Sequence, residues 1–339
     1  MEKHYIEFIK NYTSDMFETN PKIFQNKDDD YAQLCLVDMV GILYYEGKLD
    51  EKPIYYIRHA NPDSYRFGGM IELGDDFLSP QKRGYHEDAF IDKCKLTTEY
   101  SKLSDDPIIY GLGTKNPFSE FRFYMDHATF KESDFLNIVA TPLPICIIDH
   151  GCIFPPLSMI KQPCILKGTY EGKNIIGFGS YERLYKPKKN KEDFGKSLGY
   201  IYSIGMGLRE DNKYEIACAS IDEKGSSIGY YWLEGEQPIV SYDVKMEANW
   251  KHLPYVDDGT CIYKDAVYRF ADLEFHVEGK WGTKGFTSHP RIERHGQSQV
   301  FGTWYIGKKP YKHKLSYNVN ENMEAYDYKL KKRGFNVVD

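Results

Sequence analysis

Short runs of β-branched and aromatic residues, each closed by a turn signal, recur along most of the chain, and that cadence predicts strands rather than helices. The first half carries it at residues 54–59, 66–73, 121–124, 135–140 and 145–148; the second at 199–208, 214–221, 227–233, 239–246, 266–277 and 299–306. Spacing of this kind predicts an all-β sandwich or barrel. Two segments read differently. Residues 4–17 set Tyr5, Phe8, Ile9, Tyr12 and Met16 at helical spacing before Asn20-Pro21, so a short amphipathic helix is expected there, and a closing helix over 321–332. Residues 34–45 are apolar on all sides, interrupted by Asp38 and Gly41, and fit a buried helix or a strand. The charged stretch 186–193, with Pro187 inside it, is the clearest break and divides the chain into 1–189 and 190–339.

One β-hairpin carries the strongest chemical signal. It runs from Cys164 to Tyr185 and turns at Glu171-Gly172-Lys173, where Gly172 supplies the positive φ of a tight turn. Strand alternation puts Ile176, Phe178, Ser180, Glu182 and Leu184 on one face and Gly177, Gly179, Tyr181, Arg183 and Tyr185 on the other. Glu182 thus stands as a lone carboxylate among apolar residues. Burial would favour its neutral form, making it a candidate general acid; a structural ion pair across the ladder is the alternative. The glycines mark a bend or a close approach by another backbone or a ligand.

Other constellations are weaker. Asp149-His150, at the end of a strand, has the residue types of a base and its orienting partner, although a turn Asp and a hydrogen-bonded His explain the pair equally well. His289, Arg291, Glu293 and His295 would share one face of an extended segment, which reads as a solvated strand face or as the lining of a pocket. With His276 and Glu278 they are of types that suit zinc or iron, but the spacing fits no zinc motif, so no metal is expected. Gly111-Leu-Gly113 and Gly205-Met-Gly207 lack the third glycine and following helix of a dinucleotide fingerprint, and no cofactor is expected.

Composition narrows the choice. The 339 residues suffice for two medium domains, and 29 Tyr with 19 Phe lean toward strands and an aromatic interior. A net charge of −6 gives no field for nucleic acid. No apolar run approaches the ~20 residues of a membrane span, and the first residues lack a signal-peptide pattern, so a cytoplasmic protein is expected. Seven cysteines without a C-x-x-C pair read as reduced thiols. An internal echo adds the last element: the strand from Phe178 through Glu182 returns as Phe301-Gly-Thr-Trp304-Tyr305, with Tyr305 in place of the carboxylate.

The motif Gly168-x-Tyr-x-Gly172 followed by Ile176-Gly-Phe-Gly-Ser-Tyr-Glu-Arg183 resembles the tandem lipocalin-like family of carotenoid 1,2-hydratase (hydroxyneurosporene synthase) and kievitone hydratase. Glu182 stands where that family commonly has Asp, and Arg183 where it commonly has His. The resemblance implies two lipocalin-like antiparallel β-barrels in tandem, an apolar small-molecule ligand, and cofactor-free acid–base chemistry such as hydration, isomerisation or cyclisation. Glu182 would then donate the proton with Asp149 and His150 as catalytic partners. Phe178, Tyr181, Arg183, Arg291, Glu293, His295, Trp304 and Tyr305 would contact the substrate. Two rival readings are a non-catalytic carrier and a carbohydrate-active protein, in which Trp232, Trp250, Trp281 and Trp304 stack sugars while Glu182 and Glu278 act together.

Overall fold

The computed structural model describes residues 4–10, 16, 21–24, 32–46, 53–60, 70–72, 77, 82–83, 96–100, 108–112, 119–132, 134–155, 157–187, 199–254, 257–284 and 296–338. Its contacts divide the chain into two units. The first comprises Met1–Ile71 and Arg83–Phe194; the second comprises Glu72–Lys82 and Gly195–Asp339.

The first half of the chain forms β1 (Ile6–Ile9), β2 (Ala32–Tyr45), β3 (Ile54–Ala60), β4 (Met70–Glu72), β5 (Lys82–Arg83), β6 (Leu96–Tyr100) and β7 (Ile108–Leu112). There follow β8 (Ser119–Phe123), β9 (Ala128–Glu132), β10 (Leu136–Pro142), β11 (Cys146–Asp149), β12 (Ser158–Tyr170) and β13 (Lys173–Pro187). They join in one sheet, ordered β5-β4-β3-β2-β13-β12-β10-β9-β8-β7-β6, with β11 bridging β1 to β12. The second half forms β14 (Tyr200–Leu208), β15 (Tyr214–Asp222), β16 (Ser227–Leu233), β17 (Ile239–Ser241) and β18 (Val244–His252). After these come β19 (Cys261–Phe270), β20 (Leu273–Lys284), β21 (Ser298–Ile306), β22 (Leu315–Asn322), α1 (Asp327–Lys332) and β23 (Asn336–Val338). That sheet is ordered β17-β16-β15-β14-β22-β21-β20-β19-β18-β23 and is antiparallel except where β23 joins β18. The fold is therefore all-β, two lipocalin-like barrels in tandem.

Each barrel closes on an aromatic core. Met39, Tyr56, Phe121, Phe130, Leu166 and Tyr181 meet in the first; Trp250, Ile262, Tyr268, Phe275, Val300 and Trp304 in the second. Tyr181 and Trp304, matched in the sequence echo, each face the core of their own barrel. The β12–β13 hairpin turns at Glu171 (φ 49°) and Gly172 (φ 74°), the two positive angles a two-residue turn needs to match strand twist. Both faces of β13 are buried over Phe178–Tyr185, which accounts for the near-continuous apolar reading of this hairpin and of residues 34–45, its partner strand β2.

Several boundaries differ from expectation. Within the span expected to be an N-terminal helix, the described residues Ile6–Ile9 form a strand laid against Cys146–Asp149, because backbone pairing to an open edge outweighs helical periodicity in so short a segment. The C-terminal helix is confined to Asp327–Lys332, since Asn318, Asn320 and Asn322 extend β22 with buried amides that hydrogen-bond inside the sheet. Residues 266–277 are not one strand but two, turning at Ala271 (φ 48°) without glycine or proline to announce it. Residues 239–246 likewise break, around the Ser241 and Asp243 hydrogen bonds. Among the described residues no helix is long and apolar enough to cross a membrane.

Candidate functional site

Glu182 sits in the middle of β13, in register with Lys161 of β12 on one side and Asp38 of β2 on the other. It is not a lone carboxylate. Lys161 Nζ lies 2.9 Å from Glu182 Oε1, and Ser180 Oγ donates to the same oxygen at 2.6 Å. All three side chains are buried, on a face shared with Phe178, Val40, Ile42, Tyr55 and Ile57. The alternative reading, an ion pair across the ladder, is the arrangement found.

The opposite face of β13 points into the barrel. Tyr181 packs 5.2 Å from the Phe123 ring, and Arg183 lies over the same ring while its Nη1 donates to the Met16 carbonyl at 2.5 Å. Neither reaches Glu182 from that side. Gly177 and Gly179 lie where a Cβ would fall on the carbonyls of Ile42 and Val40, so the close approach they mark is by the backbone of β2.

Asp149 and His150 are neighbours with separate tasks. Asp149 is fully buried and accepts from the backbone N–H groups of Cys152 (2.6 Å) and Ile153 (3.0 Å), which pins the loop after β11. Burial raises its pKa to about 6, against the lowering effect of those two N–H groups. His150 stacks on Tyr5 with ring centroids 4.0 Å apart, and its Nε2 is 3.6 Å from Glu7 Oε2. Burial lowers its pKa while Glu7 pulls the other way. No hydrogen bond joins it to Asp149.

The remaining candidates are scattered. Trp304 is core, its Nε1 donating to Met206 O at 3.4 Å. Tyr305, on the other face of β21, stacks on His276 with centroids 4.5 Å apart and lines an open groove of about 930 Å³ with Glu278, Thr303 and Lys264. Arg291, Glu293, His295 and His289 lie outside the described residues. Of the four tryptophans proposed to stack sugars, Trp232, Trp250 and Trp304 are buried and Trp281 is half-buried. Among the described residues no three His, Cys, Asp or Glu side chains are placed to hold a metal.

Glu132 and Glu215 are buried carboxylates that the sequence reading did not single out. Glu132 accepts two hydrogen bonds from Arg58, Nε to Oε1 at 2.5 Å and Nη2 to Oε2 at 2.7 Å, and a third from Tyr56 Oη at 2.9 Å. Glu215, on β15, accepts from Tyr231 Oη at 2.8 Å, from Tyr311 Oη at 2.8 Å and from His313 Nε2 at 2.7 Å, with Arg209 Nη1 at 3.7 Å. The signal for Glu215 was present: it precedes Ile216-Ala217-Cys218-Ala219 and is as isolated among apolar residues as Glu182. Burial and the neighbouring Glu215 charge raise the pKa of both tyrosines, keeping them neutral donors.

With two barrels in tandem, the chain has the fold of lipocalin-like double-barrel proteins. A structure of CghA with Sch210972 superimposes with a TM-score of 0.51 at 10% identity, covering 95% of this chain and 99% of that one. CghA alone gives 0.49 at 11% identity, with the same coverage of 95% and 99%. Kievitone hydratase from Nectria haematococca gives 0.40 at 8% identity, covering 87% and 89%. No family model and no curated protein sequence matches the chain.

Proposed function

We propose that the chain binds an apolar small molecule, isoprenoid- or polyketide-like, and carries out cofactor-free acid–base chemistry on it, either hydration, isomerisation or cyclisation. The observation that carries the reading is the Lys161–Glu182–Ser180 group, buried with Asp38 on a sheet face whose apolar part is Phe178, Val40, Ile42, Tyr55 and Ile57. Polar groups so placed must interact with one another or with a guest. A guest covering the little exposure the pair retains would add to the cost of keeping two charges away from water, and a proton passed from the Lys161 ammonium to Glu182 would leave a carboxylic acid beside the substrate. Proton donation is accordingly assigned to Glu182, with Lys161 as the group that recharges it. The presence of Sch210972 in a structure of this fold supports a small-molecule guest. The reduced cysteines Cys146, Cys152, Cys164 and Cys261 support a reducing, cytoplasmic setting.

Native mass spectrometry of the purified full chain tests the binding step by detecting a co-purified guest. The guest, incubated with the wild type and with Glu182→Gln, tests the chemistry. Conversion by the wild type and none by the variant, at similar affinity, is the expected result. Full turnover by Glu182→Gln removes the mechanism; an unchanged guest in both makes the protein a carrier.

A further inference from the structure

We propose that the second barrel holds an acid–base site of its own, the Glu215–His313 dyad, with His313 Nδ1 as the base and a carbon acid as substrate: a small molecule with a C–H beside a carbonyl or an equivalent electron sink. The tautomer follows from the partner. A carboxylate only accepts, so the hydrogen of a neutral His313 lies on Nε2, 2.7 Å from Glu215 Oε1, and the lone pair is left on Nδ1. No described residue hydrogen-bonds Nδ1.

The ring is held in place on two sides. Trp304 packs against it with centroids 4.5 Å apart, and a Cβ at Gly207 would fall on its Cδ2–Nε2 edge, so the Nδ1–Cε1 edge points away from that strand. Taking up a proton at Nδ1 creates an imidazolium beside a carboxylate that is fully buried and already oriented by Tyr231 and Tyr311, the pattern of a base steadied by a positioning residue. Arg209 reaches the other oxygen of Glu215 and lies over the Tyr311 ring at 5.4 Å, one-third exposed, where it can receive negative charge developing on a substrate oxygen. A network that merely plugged the barrel would not need a histidine with an unused lone pair, and Arg209, held by Glu215 at 3.7 Å and Asp211 at 3.4 Å, keeps one-third of its exposure for a further anion.

The step balances without an oxidant or a metal. His313 Nδ1 takes the proton, the C–H electron pair becomes the new carbon–carbon π bond, and the carbonyl π pair moves to oxygen opposite Arg209. Return of the proton to a different carbon completes an isomerisation.

Nitrobenzisoxazole is a suitable probe, because removal of its one acidic C–H breaks the ring N–O bond and releases a coloured cyanonitrophenolate. The full chain should accelerate this reaction over free imidazole at equal concentration. His313→Ala should lose about a hundredfold, while His127→Ala, on the surface of the first unit, should lose nothing. Nitrogen NMR of the wild type should show a pyridine-type Nδ1 and a pyrrole-type Nε2. A wild-type rate no greater than that of free imidazole at equal concentration, an undiminished rate in His313→Ala, or a pyrrole-type Nδ1 would overturn the proposal.

Discussion

Lys161 and Glu182 face one another across β12 and β13 with ammonium and carboxylate 2.9 Å apart, and their side chains keep 3% and 9% of their exposure. Burial makes the pair asymmetric in its effect on stability. Removing one member strands the other charge away from water, whereas replacing both with apolar groups of similar volume restores packing. Lys161→Met alone should therefore lower unfolding free energy by about 3–5 kcal/mol. The combined Lys161→Met/Glu182→Leu chain should regain most of it. Urea titration of the wild type, both single variants and the double variant gives the coupling directly; additive losses would mean the two charges do not depend on each other.

Asp149 predicts a pH dependence of opposite sign to that of an ion-paired carboxylate. Its pKa is raised to about 6 by burial, above the 3.8 of an unperturbed carboxyl, so between those values the folded chain holds more protons than the unfolded one. Stability contributed by Asp149 is thus full below the unfolded pKa and is lost as pH rises toward 6. About two pKa units correspond to about 3 kcal/mol. Asp149→Asn carries no such ionisation. Its stability relative to wild type should improve by that order between pH 4 and 7, and a constant difference across the range would show that Asp149 does not titrate there.

How much of this was legible depends on the range of the interaction. The strand cadence and the hairpin turn at Glu171-Gly172 are local, and they were readable because period-two alternation and a positive φ leave marks within a few residues. Ile6–Ile9 was misread because its strand state comes from Cys146–Asp149, far along the chain. The same limit applies to the site. Sequence alternation placed Glu182 and Arg183 on opposite faces, yet nothing local could reveal that Lys161 would be set opposite Glu182 by the register of β12. Nor could it show that residues 98 positions apart, Glu215 and His313, would share a hydrogen bond.

Gly177 and Gly172 test two different reasons for glycine. At Gly177 a Cβ would collide with the Ile42 carbonyl, so Gly177→Ala must push β2 and β13 apart, with a cost of about 1–3 kcal/mol. Gly172 has open space around it but a φ of 74°, so Gly172→Ala should cost about 1–2 kcal/mol through backbone strain alone. Only the first should disturb Lys161–Glu182 geometry, seen as altered chemical shifts on both strands. Equal spectral changes in the two variants would show that the contact with Ile42 is not what requires glycine.

Glu132 should be the least replaceable polar residue of the first barrel. It receives both arms of the Arg58 fork and the Tyr56 hydroxyl, and none of the three side chains has more than 1% of its exposure. Burial and the Glu132 charge raise the Tyr56 pKa, so the phenol stays neutral and donates. Tyr56→Phe removes one donor from a carboxylate that retains two, and should cost about 1–3 kcal/mol. Glu132→Gln keeps the shape but takes away the anion that offsets a guanidinium in an apolar core, and should cost about 3–5 kcal/mol. Replacing Arg58 and Glu132 together with Met and Leu should recover a large part of that loss. Chemical denaturation of the three variants decides the matter: a Glu132→Gln chain as stable as Tyr56→Phe would mean that charge compensation is not what holds this group inside the barrel.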